Sequence, residues 1–222
     1  MTTPQDLLIV TMDVESSRPV DPGDLSLALA GAELVDLLDA QALTLDGDRI
    51  VPGPHWTMGD PLLAEAVSSL TRQAPYESVE DWLWRRGRGL SAAYRAVLRA
   101  EGHVTRRRRR WIPVRTGPTA LVDSPARRHA ADRWTSGEPV LAGFAAAVGI
   151  HPEPTEPTEP TEPTEPTEST EPTEPTEEPA NLADDAVVTV LAAVHHAVTE
   201  LEGVRQRRSV EEAAFDNIWR GQ

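Results

Sequence analysis

The chain has 222 residues, no cysteine, no lysine and a formal net charge of −15. Lack of cysteine excludes disulfide staples, thiolate metal sites and thiol nucleophiles. The length suits one sizeable domain with appendages, and no uninterrupted apolar run approaches the ~20 residues that span a bilayer.

The N-terminal MTTPQDLLIVTMDVES has a short apolar core and no basic residue ahead of it. That is not the pattern of a signal peptide, so a cytoplasmic setting is expected. Thr3-Pro4-Gln5-Asp6 has the form of a capping box with proline at the first helical position. The following LLIVTMDV is β-branched enough that pattern alone leaves helix and strand open. Asp21 then caps an amphipathic helix, LSLALAGAELVDLLDAQ, with Leu27, Leu34, Leu37 and Leu38 on one face. Asp46-Gly47-Asp48 between LTL and RIV predicts a short hairpin.

Asp60-Pro61 starts the next helix, with Leu62, Leu63, Ala66, Val67 and Leu70 as its buried stripe. Ser78-Val79-Glu80-Asp81 is another box-like start and leads into Trp82 and Trp84. These two lie two apart and do not share a helix face, so one is expected in the core and the other at an interface. Gly87 and Gly89 interrupt, and Leu90–Glu101 forms a helix that Gly102 stops. Val104 and the set Trp111, Ile112 and Val114 flank an arginine run as an extended pair. Ser124-Pro125 opens a basic helix, ARRHAADRW, and Glu138 to Ile150 gives another. Residues 152–179 are near-perfect Pro-Thr-Glu triplets with nine prolines and ten glutamates. Such a segment is expected to be an extended, disordered linker. After it, Leu182–Leu201 reads as an apolar helix, and Ser209-Val210-Glu211-Glu212 as the start of a last one.

The organisation expected is a main helical domain over 1–151, the linker over 152–179, and C-terminal helices over 180–222 that dock back. Charge is divided sharply along this plan. Fourteen of the 21 arginines lie between Arg85 and Arg133, against Glu101, Asp123 and Asp132, a local balance of +11. With so few counter-charges nearby, these guanidinium groups call for water or an anionic partner. The glutamates of the linker, tethered beside them, are expected to compete with that partner.

These segments together resemble the Golgi phosphoprotein 3 family of peripheral membrane proteins that bind phosphatidylinositol 4-phosphate. The resemblance rests on the order LLIVTMDV, LALAGAELVDLL, LTLDGDRIV, TMGDPLLAEAV, SVEDWL, a helix ending in EGHV, and a basic hairpin. Its most specific piece is Thr57-Met58-Gly59-Asp60-Pro61-Leu62-Leu63-Ala64-Glu65-Ala66, close to the family's T-G-D-x-L-L-D-E-A. It covers about residues 5–150 and continues more weakly through DDAVVTVLAAVHHA. The resemblance implies a mainly α fold, a central helical bundle wrapped by amphipathic helices. Short β-hairpins accompany it, a basic one near residues 104–115 among them, and residues 5–13 become helix. It implies a non-catalytic, adaptor-like protein at a membrane surface, with cytosolic tails of membrane proteins as partners. Carried over residue by residue, the family's headgroup contacts fall on Arg88, Ser91, Ala30 and a position near Asp21; Arg88 alone is basic.

The sites that follow are a headgroup-binding set of Arg88, Arg85 and Arg86, with Arg95 on a neighbouring turn. A membrane-contact set of Arg106, Arg107, Arg108, Arg109, Arg110 and Trp111 accompanies it, the tryptophan at the interfacial level. The alternative is a winged-helix-like nucleic-acid binder using helix 90–101 and the basic hairpin. No preceding helix offers a polar recognition face, which disfavours nucleic acid. Gly87-Arg88-Gly89-Leu90-Ser91-Ala92 fits G-x-G-x-x-A but follows no apolar strand, so no dinucleotide site is expected. His195 and His196 have no H-E-x-x-H spacing, and no metal, cofactor or catalytic residue is assigned.

Overall fold

Thr2 starts the first helix one residue earlier than the sequence pattern suggests. Its hydroxyl accepts from the Gln5 amide, and helix α1 (Thr3–Asp13) follows. The computed structural model describes residues 1–14, 18–54, 58–106, 119–151 and 179–220, and of 105–106, 119–120, 179–184 and 213–220 the backbone alone. The open choice at LLIVTMDV resolves to helix, with Leu7, Leu8, Ile9 and Val10 all buried. Surrounded on every side, this segment gains from helix because its backbone groups are satisfied internally.

Helix α2 (Pro22–Asp39) is the hub of the molecule. Asp21 caps it by accepting from the Gly23 amide at 2.7 Å. Leu25, Leu27, Leu29, Leu34, Val35 and Leu37 are buried around its whole circumference. The expectation of a one-faced amphipathic helix is therefore corrected: α2 is enclosed by α1 and by elements still to come. It leads into a hairpin, β1 (Leu43–Asp46) with β2 (Arg49–Pro52), in which Asp46 pairs with Arg49. Gly47 takes the positive φ (60°) of the primed turn.

Asp60 caps α3 (Pro61–Ser68), accepting from the Leu62 and Leu63 amides at 2.8 and 3.0 Å. Its other oxygen accepts from Gln5 Nε2 at 2.8 Å and ties α3 to α1. Ser78 caps α4 (Val79–Arg86). Gly89, at φ 73°, opens α5 (Leu90–Ala100), and Gly102, at φ 77°, closes it. A residue with a Cβ at either position would be strained.

Strand β3 (Val104–Arg106) pairs antiparallel with β4 (Thr119–Leu121). The expected partner strand at Trp111, Ile112 and Val114 lies outside the described residues, as do Arg107–Arg110; the pairing strand is further along the chain. Ser124 caps α6 (Pro125–Thr135) and Glu138 caps α7 (Pro139–Ala147).

The C-terminal segment is one helix, α8 (Pro179–Arg220), rather than two. Ser209 sits inside it, because nothing ahead of Ser209 terminates the preceding turns except Gly203, which costs a helix only about 1 kcal/mol. Val190, Val194 and Ala197 of α8 are fully buried, packed with the core, and α8 meets α2, α4 and α7. Gly31 permits the approach to α2: a Cβ there would lie 2.5 Å from Val194 Cγ2 and 3.0 Å from Phe144 Cε1. By length and composition alone, Asp185–Glu212 meets the minimum for crossing a membrane, with mean hydropathy 1.3. That departs from the reading by uninterrupted runs, which the charged residues of α8 break. The expected linker lies outside the described residues, apart from Pro179.

Candidate functional site

The basic segment begins on α4, and its first two arginines point inward to acids. Arg86 reaches Glu33 of α2 with two donors, Nε to Oε2 at 2.8 Å and Nη2 to Oε1 at 3.0 Å. A third bond goes to Glu65 at 2.8 Å and a fourth to the Leu62 carbonyl at 3.0 Å. Only 8% of its side chain is exposed, and Glu33 is fully buried. Tyr94 of α5 donates its hydroxyl to Glu33 at 3.0 Å. Burial alone would lower the Arg86 pKa, but the bonds and charges of Glu33 and Glu65 outweigh it, so the guanidinium stays charged. Burial pushes the Tyr94 hydroxyl up, and Glu33 adds to it, so the phenol stays a donor.

Arg85 is held at the surface. It makes a two-pronged bond to Glu77, both contacts at 2.6 Å, and donates to the Ser69 carbonyl. Its guanidinium lies 5.0 Å from the centre of the Trp82 ring. Trp82 is the core tryptophan, its indole N–H donating to the Ala30 carbonyl at 3.2 Å, and Trp84 is half-buried. Arg85 and Arg86 are thus both engaged in ion pairs, Arg85 at the surface and Arg86 buried.

The premise that the arginines lack counter-charges is corrected in the same way. Arg128 pairs with the nearby Asp123 and Arg133 with Glu138, while acids distant in sequence supply the rest: Asp13 for Arg127 and Asp6 for Arg133. Sequence distance hid these partners, since Asp13 and Arg127 lie on α1 and α6, which pack together.

Of the arginines between Arg85 and Arg133 whose side chains are described, three are left over. Arg88, in the turn before α5, and Arg95 and Arg99, on α5, make no hydrogen bond or ion pair with any described residue. Arg88 and Arg99 are exposed and Arg95 half-buried. Arg95 and Arg99 are one turn apart, and with Met12 and Val104 they line a cavity of about 340 Å³. Val104 opens β3, the strand that enters the arginine run. Of the membrane-contact set, Arg106 is described as the last residue of β3 by its backbone alone, and Arg107, Arg108, Arg109, Arg110 and Trp111 lie outside the described residues.

The remaining carried-over positions differ in access. Ala30 is fully buried. Ser91 is buried in a hydroxyl pair: its Oγ accepts from Ser26 at 2.9 Å and donates to the Pro22 carbonyl at 3.0 Å. Asp21 and Asp24 accept from Arg205 of α8. Asp24, Glu202 and Arg205 line a separate cleft between the start of α2, the end of α7 and α8, of about 540 Å³.

His196, outside any H-E-x-x-H spacing, nevertheless has two carboxylates beside it. Glu200 lies one turn along α8, and Glu80 comes from the first turn of α4. The donor atoms of the three lie within 4.8 Å of one another.

A hub helix buried all round, two short hairpins and a positively charged surface around one helix define a mainly helical fold. Residues 4–201 match the family model described as Golgi phosphoprotein 3 (GPP34), and the chain belongs to that family. Comparison with curated proteins gives no match.

Proposed function

We propose that the protein is a non-catalytic, peripheral binder of anionic membrane surfaces, adaptor-like in use, with α5 and the β3–β4 hairpin as its lipid-facing side. The observation that carries this reading is the contrast among the arginines. Those on α4 and α6 are neutralised by glutamates and aspartates, whereas Arg88, Arg95 and Arg99 keep their charge open to solvent. Arg106–Arg110 and Trp111 continue that charge along the sequence. Near an anionic leaflet each such residue adds about 1 kcal/mol to binding.

A phosphatidylinositol 4-phosphate headgroup needs several donors converging on one phosphomonoester. With Ala30 and Ser91 buried and Arg85 and Arg86 engaged, charge count rather than headgroup stereochemistry sets the preference. Co-sedimentation with vesicles tests both levels. Acidic vesicles are expected to bind the protein and neutral ones to leave it in solution. Phosphatidylinositol 4-phosphate is expected to bind no better than charge-matched phosphatidylglycerol. A tenfold preference, about 1.4 kcal/mol, would overturn the charge-count reading. Equal binding to neutral vesicles, or none to acidic ones, would overturn the function. Duplex DNA that displaces the protein from vesicles at ~0.15 M salt would favour nucleic acid instead.

A further inference from the structure

We propose that Glu80, His196 and Glu200 form a site for a divalent transition-metal ion of the zinc class, one that ties α8 to α4. This inference does not depend on the lipid reading. His196 and Glu200 stand at i and i+4 on α8, so the helix itself places an imidazole and a carboxylate on one face. Glu80 approaches from α4, whose first turn Ser78 fixes by capping. The three are exposed, and none makes a hydrogen bond or ion pair with a described residue.

Their spacing leaves room for an ion. Donor atoms within 4.8 Å of one another need to close by up to about 1.5 Å, within reach of exposed side chains, to form a tetrahedral site with bonds of about 2.0–2.2 Å. The imidazole decides the class. Calcium and magnesium favour all-oxygen shells, whereas a nitrogen ligand with two carboxylates suits zinc, cobalt, nickel or copper. Two carboxylates facing each other without a neutralising cation, in a chain of net charge −15, repel one another until such an ion binds. A fourth position is open to water. The proposed role is that of a strut between the last helix and the helix that carries Trp82 and Arg86.

The test uses the full chain without a histidine tag. Titration with Co²⁺, followed by its visible ligand-field bands, and with Zn²⁺, followed by calorimetry, is expected to give one ion per chain with a micromolar Kd. Zinc is expected to raise the Tm. His196→Ala, Glu200→Gln and Glu80→Gln are each expected to weaken binding at least tenfold and to remove the rise in Tm. His195→Ala, whose Nδ1 already faces the Leu191 carbonyl, is expected to change neither. All four residues are exposed, and unfolding without metal checks that each variant folds. Absence of stoichiometric binding to wild type would overturn the proposal. So would wild-type affinity in all three variants, or Mg²⁺ competing as well as Zn²⁺.

Discussion

Replacing Arg86 by methionine separates a structural arginine from a lipid-binding one. The side chain carries four hydrogen bonds, three of them to carboxylates, and Glu33 beneath it has no exposure of its own. Removing one member of a buried pair leaves the other as an uncompensated charge, at a cost of about 3–5 kcal/mol. A domain stability of about 5–15 kcal/mol would fall by a large fraction. At a urea slope of about 2 kcal/mol/M, the unfolding midpoint is expected to drop by roughly 1.5–2.5 M. The triple change Arg86→Met, Glu33→Met, Tyr94→Phe removes the charge, its partner and the hydroxyl that would be left without an acceptor. It is expected to recover most of the loss, because replacing a whole buried ionic group by apolar side chains is often neutral. Circular dichroism in urea measures each variant. A loss below about 1 kcal/mol for Arg86→Met, or a selective loss of vesicle binding at unchanged stability, would refute the assignment.

Gly31→Ala gains about 1 kcal/mol of helix propensity but drives a Cβ to 2.5 Å from Val194 Cγ2. Overpacking of about 1–3 kcal/mol is expected to win, and Val194→Ala to restore a lowered Tm. Asp60→Ala removes the cap of α3 and the acceptor for Gln5 Nε2; a loss of about 1–2 kcal/mol is expected, read by urea unfolding, with Asp60→Asn retaining most of it. Asp36 is pushed up to about 6 by burial, against the opposing bond from the Thr3 amide. Because its folded pKa lies above its unfolded one, the folded state holds the extra proton between about pH 4 and 6. Wild-type stability is therefore expected to fall as pH rises through that window, by up to about 3 kcal/mol for a shift of roughly two units. Asp36→Asn is expected to lack that fall, which urea midpoints measured from pH 4 to 7 would reveal.

Local signals carried most of the architecture. Asp21, Asp60, Ser78, Ser124 and Glu138 each cap the helix that follows, because a cap is a bond between residues two or three apart and is written in adjacent letters. Gly102 marks a helix end for the same reason. What adjacency cannot carry is the identity of long-range partners. Glu33 stands with Asp36 in the otherwise apolar ALAGAELVDLL, and that apolar setting was the available hint that it meets a cation inside the fold. The hub role of α2 was also hidden, since an alanine- and leucine-rich segment reads as one-faced until its neighbours are known. The two-helix reading of the C-terminus failed on a true capping pattern that had no helix end before it. His196 and Glu200 were visible as an i, i+4 pair; Glu80, more than a hundred residues away, was not.

The fate of the arginines links fold to function more directly than their number does. An acid is available to α4 because α2 and α3 pass beside it, and to α6 because α1 and α7 do. Each neutralised pair consumes a cation that the sequence alone counts as open. Ser91 bonds Ser26 and the Pro22 carbonyl, which closes α5 against the start of α2. The cations of that segment that remain, Arg88 in the turn before α5 and Arg95 and Arg99 on it, have no carboxylate partner among the described residues. A phosphate approaching that side meets charge spread along a surface rather than gathered at a point. Affinity for such a surface grows with the anionic lipid fraction and weakens with salt. Under the proposed function, the exposed side would therefore respond to the charge of a membrane surface rather than to the headgroup that bears it.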